Sequence, residues 1–322
     1  MGGSGWFLAG FCCEDPQGCY APPSLLNEAR RQLLERLSEV RHAEQEKHRT
    51  EVLGSGERHT TVQPRGDREL TVKCALGQSP LLLPKEVTRV VLDIGNLQKE
   101  QAVAWMKNWR RAAGDGVKLL PSVPVLVRND LSAQTDETIR GLLEAGCPEW
   151  ECADLSGCHR LLRLGARPVS SDWSFYVTNP QTAEQLASFG IRSFVLSSEL
   201  DEQAVDALLA HCALRPELLL FQHTPLFLSE TAPCIAASEK TVLTNRHGDK
   251  LMVCPRNGHW HTVSTIPFSL AGTQLAETGI DGRIDFSWSP DGTDFNAILR
   301  ELVKEGALSI PTHTANFKRT LL

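Results

Sequence analysis

The stretch Thr88-Arg-Val-Val-Leu-Asp-Ile94, followed by the helical pattern Lys99–Ala113 and then by the apolar run Ser122–Val127, decides the fold. A short β-branched run, an amphipathic segment and a second apolar run read as one strand–helix–strand unit, the crossover that parallel strands require. Working outward, the unit recurs. The strand candidates are Glu69–Cys74, Thr88–Ile94, Ser122–Val127, Trp150–Ala153, Pro168–Ser171, Ser193–Leu196, Glu217–Phe221 and Arg283–Phe286. Helical patterns at Lys99–Ala113, Thr135–Ala145, Ser156–Leu164, Thr182–Phe189, Glu202–His211, Phe268–Thr278 and Thr293–Glu305 fill the gaps, and only Ala75 to Val87 is too short and Pro-rich for a helix. Glu144-Ala145-Gly146 and Ser188-Phe189-Gly190 place glycine where a helix stops.

Eight strands alternating with about seven helices predict an α/β chain, a (β/α)8 TIM-barrel-like fold over residues 67–322. No glycine-rich phosphate loop follows a strand, which argues against a dinucleotide-binding open sheet. Between strands 7 and 8 the pattern breaks at Thr224–Ile266, an insertion with hairpin turns at Arg246-His-Gly-Asp249 and Arg256-Asn-Gly258. Residues 1–66 precede the barrel: Ser24 caps an amphipathic helix carrying Leu25, Leu26, Ala29, Leu33, Leu34 and Leu37, and the polar stretch His42–Gly66 reads as a linker.

Composition narrows the function. In 322 residues, 33 basic and 39 acidic side chains give a net charge of −6, unlike a strongly basic nucleic-acid binder. Apolar stretches such as Leu81–Leu83 and Leu218–Phe221 are far too short to span a bilayer. Met1–Gly10 lacks the basic n-region and apolar core of a secretion signal, and ten cysteines are too sparse for a disulfide scaffold. The expectation is a cytoplasmic protein with reduced thiols.

Barrel enzymes build their sites just after each strand. That rule selects Asp93, Arg128, Asp154, Asp172, Ser197 with Glu199, His223 and Asp285. Arg128 reads in two ways, as a bidentate carboxylate clamp or as the partner of Asp130. Cys152-Ala-Asp-Leu-Ser-Gly-Cys158-His159 has no standard metal spacing. In the insertion, Cys254, His259 and His261 with Cys234 upstream supply borderline metal ligands, or else a hairpin whose histidines face water. No Gly-x-Ser-x-Gly or His-Glu-x-x-His motif is present.

The run Arg167-Pro-Val-Ser-Ser-Asp172-Trp-Ser-Phe-Tyr-Val-Thr-Asn179, then Phe189-Gly-Ile-Arg-Ser-Phe-Val-Leu-Ser197-Ser-Glu199-Leu200, resembles the collagenase-like peptidase family U32. Glu217-Leu-Leu-Leu-Phe-Gln-His223 with Glu230 and Cys234, the ending His313-Thr-Ala-Asn-Phe-Lys-Arg319, and Pro23-Ser-Leu-Leu-Asn-Glu-Ala-Arg-Arg31 extend the resemblance over most of the chain. The last of these looks like the helix preceding the second barrel of longer members, and Met1-Gly-Gly-Ser-Gly-Trp-Phe reads like the interior of a longer protein.

The resemblance implies either a peptidase or an oxygen-independent hydroxylation factor that uses prephenate. Such factors act on RNA pyrimidines or ubiquinone precursors and often hold an iron–sulfur cluster with four cysteines. Carried over by position, the family's histidine falls on His223, its first cluster cysteine on Phe227 and its second on Cys234. The stretch holding the third is shortened to Ile235–Thr241, and Cys254 is a candidate to replace the last. No stoichiometric iron–sulfur cluster is therefore expected in the isolated chain. Three readings follow: a partial or cluster-degenerate hydroxylation factor for RNA bases or a related aromatic substrate, a peptidase, and a non-catalytic substrate- or partner-binding barrel. Partners expected are RNA or a peptide substrate, and another U32-like chain or a missing N-terminal half. The site is expected to gather Arg128, Asp172, Glu199, His223 and Glu230 at one barrel mouth, with Cys234 and Cys254 as metal ligands if any are present.

Overall fold

The computed structural model describes residues 22–54, 68–233, 241–246, 248–278, 280–290 and 292–318, together with Cys12, Glu14, Gln17, Gly18 and Tyr20. Two compact units divide the chain, Met1–His59 and Thr60–Leu322. In the first, α1 runs from Pro23 to Gly54. The helix therefore continues thirteen residues into the stretch read as a linker, whose remainder at residues 55–66 lies outside the described residues. Polarity there does not bring irregularity: His42–Val52 is rich in Ala, Glu, Gln, Lys and Arg, which form helix readily without any apolar face.

In the second unit, eight parallel strands close into a barrel. They are β1 (Leu70–Ala75), β2 (Val87–Asp93), β3 (Lys118–Ser122), β4 (Glu149–Cys152), β5 (Arg167–Ser171), β6 (Ser193–Val195), β7 (Arg215–Gln222) and β12 (Asp281–Asp285). β12 pairs with both β7 and β1, so the sheet has no free edge. Around it lie α2 (Lys99–Ala113), α3 (Ser132–Glu144), α4 (Leu155–Arg163), α5 (Pro180–Ser188), α6 (Glu202–His211) and α8 (Phe295–Glu305), while β1 and β2 are joined without a helix. Gly146 and Gly190 take φ of 82° and 92° just past α3 and α5, the left-handed stop that a side chain would strain.

The third strand lies earlier than Ser122–Val127. Hydropathy slides between two adjoining apolar runs, and the register decides: Leu119 and Ser122 stand opposite Val90 and Asp93 of β2. Leu120 then packs inside the barrel with Val91 and Val169. Phe268–Thr278 is not a helix. Phe268 exchanges extended hydrogen bonds with Gln222, Gly272 takes φ of 74°, and only α7 (Gln274–Glu277) remains helical.

The insertion is a four-stranded antiparallel sheet ordered β8-β11-β10-β9, formed by β8 (Pro225–Ser229), β9 (Thr241–Thr244), β10 (Lys250–Arg256) and β11 (His259–Ser264). Its β10–β11 hairpin turns on Asn257 and Gly258, both at positive φ (51° and 77°), as a two-residue hairpin of this hand requires. The main apolar core lies between strands and helices and includes Trp109, Trp150, Phe194 and Phe221, all fully buried. Each such aromatic contributes roughly 2–3 kcal/mol by leaving water.

Candidate functional site

Inside the barrel, only Val91, Leu120 and Val169 form an apolar cluster among the described residues. Much of the remaining interior is charged. Strand alternation points Lys73, Arg89, Glu151, Glu217 and Arg283 inward, all of them buried. At the N-terminal end of the strands, Arg215 grips Asp281 through two nitrogens at 2.8 and 2.9 Å. Above that, Glu217 accepts from Arg89, from Ser193 Oγ at 3.0 Å and from Arg283 Nε at 2.9 Å. Arg283 Nη2 reaches Glu151 at 2.5 Å, leaving Nη1 without a hydrogen-bond partner. Toward the C-terminal end, Lys73 Nζ donates to Glu151 at 2.9 Å and to Asp172 at 2.5 Å.

Three cations and three carboxylates thus form one neutral chain, Arg89–Glu217–Arg283–Glu151–Lys73–Asp172. Burying charge without such pairing costs several kcal/mol per ion, which is why every member touches an opposite charge. The two carboxylates on Lys73 are driven apart. Burial opposes the Glu151 charge, but Arg283 and Lys73 outweigh it and hold that carboxyl at about 2. Asp172 has burial and the like charges of Glu151 and Asp285 acting against Lys73, and is pushed up to about 6. Lys73 itself stays above its ordinary value because its carboxylates outweigh burial.

The barrel mouth is spanned by the β10–β11 hairpin. Arg256 reaches Asp93 at 3.7 Å and lies over the Trp288 ring at 5.1 Å. Arg128 Nη1 donates to the Gly258 carbonyl at 3.0 Å, and the Gly95 backbone runs so close to Asn257 that a Cβ there would stand 2.9 Å from its Oδ1. On the hairpin face, His261 Nε2 donates to the Arg256 carbonyl and His259 Nδ1 to that of Asn257. A carbonyl only accepts, and burial lowers the His261 pKa, so the neutral His261 ring carries its lone pair on Nδ1. His261 Nδ1 and His259 Nε2 are buried without hydrogen-bond partners, as is Trp288 Nε1. His261 lies 5.0 Å from Trp288, centroid to centroid.

The expected site residues fall in different places. Asp172 is in the charged chain, its other oxygen accepting from the Trp173 N–H at 2.9 Å. His223 is buried, Nδ1 donating to the Ser264 carbonyl at 3.0 Å, and burial lowers its pKa so that it is neutral near pH 7. Arg128 holds Asp130 bidentately at 3.0 and 3.2 Å, so of its two readings the salt bridge is the one seen. Glu230 is exposed, 3.8 Å from His259 Nε2 and close enough to act on the Arg128 charge. Glu199 is exposed on the loop after β6, its carbonyl accepting from Asn316. Among the described residues, no hydrogen bond or ion pair joins any two of these five. Asp285 and Asp93, also anticipated, have partners of their own: Asp285 accepts from Ser287 and Gln222, and Asp93 from the Gly95 N–H beside the Arg256 guanidinium.

Sequence reading missed Lys73, Arg89, Glu151, Glu217 and Arg283. The available signal was a charged residue at the centre of a strand expected to be buried on both faces, as in Val72-Lys73-Cys74 or Trp150-Glu151-Cys152.

A four-thiolate cluster does not fit the described residues. Cys254 is the one cysteine described on the insertion sheet, cross-strand from His261, and Cys234 lies outside the described residues. Phe227 is exposed on β8. Cys74, Cys147, Cys152, Cys158 and Cys212 are buried in the barrel wall, where burial pushes the Cys74 and Cys147 thiols up. Among the described residues no group of three or more His, Cys, Asp or Glu side chains is placed to hold a metal ion.

The geometry defines a (β/α)8 barrel whose mouth is crossed by an inserted hairpin. No family model matches the sequence, and no curated protein matches it. Among solved structures the chain is similar to the U32 peptidase Mk0906, with a TM-score of 0.35 and 14% identity over 52% of this chain and 75% of that one. It is also similar to the muconate lactonizing enzyme from Pseudomonas putida, with a TM-score of 0.33 and 18% identity over 48% of this chain and 47% of that one. A third likeness is to a probable tagatose 6 phosphate kinase from Sinorhizobium meliloti 1021, with a TM-score of 0.30 and 10% identity over 48% of this chain and 58% of that one. Likenesses this weak leave the function to be argued from the site. No helix among the described residues is long and apolar enough to cross a membrane.

Proposed function

We propose that the chain is a U32-like, cluster-degenerate barrel enzyme performing acid–base chemistry at its mouth on a small planar substrate, such as an RNA base or a related aromatic compound. One observation carries this reading: Asp172 and Glu151 share the Lys73 ammonium in unlike surroundings, burial and neighbouring carboxylates pushing Asp172 up to about 6 while Arg283 and Lys73 hold Glu151 at about 2. Carboxylates whose environments separate their pKa values mark acid and base roles. At pH 7 Asp172 is mostly ionised and serves as the base, Lys73 steadies negative charge developing on the substrate, and Glu151 holds Lys73 in place. The Arg256–Trp288–His261 stack at the mouth supports a planar ligand, with an indole N–H and an imidazole lone pair to read its polar edge. A polypeptide fits less well, because the hairpin pinned by Arg128 and Arg256 lies across its path. On this reading the thiolates for any iron–sulfur cluster come from a partner U32-like chain, in a reducing cytoplasm.

The test incubates the purified chain with uridine, cytidine, short single-stranded RNA and gelatin across the pH range around 6. Turnover of a nucleobase substrate is expected to rise with pH through about 6 and to fall 10²–10⁴-fold in Asp172→Asn. Gelatin cleavage, or nucleobase turnover indifferent to Asp172→Asn, contradicts the reading.

A further inference from the structure

The first crossover of the barrel has no helix, and the outer wall beside it carries a cavity. Between β1 and β2 the chain runs Gly77-Gln-Ser-Pro80-Leu-Leu-Leu-Pro84-Lys85-Glu86, and two prolines without an N–H to donate keep it from coiling. Leu70, Leu220 and Ile284 of the wall, with Leu302 and Val303 of α8, line a cavity of about 370 Å³, within the size range of small-ligand sites. Leu220, Ile284 and Leu302 are buried and the other two half-buried, so the floor is wholly aliphatic. Gly282 lies beside it, facing outward because its neighbour Arg283 faces into the barrel. A Cβ at 282 would stand 2.7 Å from Leu220 Cδ1 and 3.0 Å from Leu70 Cδ1, so the absence of a side chain lets both leucines keep their places.

The rim is charged. Arg68, Lys85 and Glu86 stand on it, all exposed, so two cations face one carboxylate. The Arg68 guanidinium reaches over the floor, its Nη2 lying 3.5 Å from the Cβ position of Gly282. Arg89, Arg215 and Arg283 of the same barrel each hold a carboxylate. Among the described residues neither Arg68 nor Lys85 has a hydrogen-bond or ion-pair partner. We propose that this cavity binds a medium-chain fatty carboxylate, its chain on the aliphatic floor and its head between Arg68 and Lys85. A guanidinium fork matches the two oxygens of a carboxylate. A single negative charge also balances the rim, whereas the nearly double charge of a phosphate monoester would be opposed by Glu86. The cavity lies on the outside of the wall, so it stands independently of the reaction assigned to the mouth.

The intact chain is titrated with hexanoate, octanoate, decanoate and 1-octanol by isothermal titration calorimetry. Affinity is expected to rise about 2–4-fold for each methylene added from hexanoate to decanoate, as the chain leaves water. Octanoate is expected to bind about 5–10-fold more tightly than 1-octanol, through its contacts with the two cations. The double variant Arg68→Gln, Lys85→Gln changes only exposed side chains, and it is expected to erase that advantage while 1-octanol binds as before. Val303→Trp fills the cavity from α8 and is expected to abolish binding of both compounds. Equal affinity for octanoate and 1-octanol in the wild type would reveal an apolar site with no place for a carboxylate. Octanoate binding that is unchanged in either variant would lie elsewhere on the chain. Each of these results overturns the proposal, as does the absence of saturable octanoate binding.

Discussion

Replacing Arg283 with leucine is expected to lower folding stability by about 3–5 kcal/mol near pH 8. Arg283 is fully buried and donates to Glu151 and to Glu217, neither of which has any exposed side-chain surface. Without the guanidinium, both carboxylates lose their shared cation, and each must ionise with weaker support or take up a proton. The sign of the pH dependence follows. Glu151 and Glu217 are both held below their ordinary range, with burial opposing and Arg283 the largest favourable cause. Such groups stabilise the fold above their unfolded pKa, and that contribution is lost as pH falls through the folded value. Arg283→Leu removes much of it, so the loss is largest at alkaline pH and shrinks toward about pH 4. Urea unfolding across pH is the measurement. A cost below about 1 kcal/mol, or one independent of pH, would mean that the charged chain is not what fills the barrel.

Lys73→Met tests the other end. Lys73 is the only cation in hydrogen-bond contact with Asp172 among the described residues, and Arg283 remains to support Glu151. In the wild type, the raised Asp172 acts with the opposite sign to Glu151: the folded state binds its proton more tightly, so stability from this group is lost as pH rises from 3.8 through about 6. Removing the ammonium raises Asp172 further. The variant is expected to lose about 2–4 kcal/mol at pH 8 and to regain a substantial part by pH 5, where Asp172 is protonated. Equal losses at both pH values would show that Lys73 contributes through packing alone. The two variants share Glu151, so their effects are expected to be non-additive when combined.

The barrel was legible because its strands and helices repeat with different periods. Lys99–Ala113 and Glu202–His211 have the same bounds in the sequence reading and in the structure, since each is an amphipathic run closed by clear stops. The Asn257-Gly258 turn was legible for a local reason: these two residue types accept positive φ. Other features depended on what lay across the barrel. Nothing near Lys73 announces that Glu151, 78 residues on, will be its partner. Lys118 opens β3, standing opposite Arg89 of β2 and paired with Glu149 at 2.5 Å on the other neighbouring strand. Arg128 had two readings from sequence, and only the position of Asp130 and the hairpin carbonyl separates them. Cys234 lies outside the described residues, so its reading stays an expectation.

Asp172 was picked out because it follows a strand, a rule that works for the mouth. Its neighbour Glu151 lies within a strand and escaped that rule, although it makes the chemistry of Asp172 distinctive. Rim position found the titrating group, and the groups that tune it lay one layer deeper.

The measurement that bears most directly on this account is the pH titration of the Asp172 side-chain carboxyl by ¹³C NMR, assigned by difference against Asp172→Asn. It requires no substrate. The expected midpoint is about 6, moving upward in Lys73→Met, with Glu151 remaining ionised down to about 2 in the wild type. A wild-type midpoint at or below the ordinary 3.8 would contradict a poised Asp172 base at the barrel mouth, and with it the proposed function.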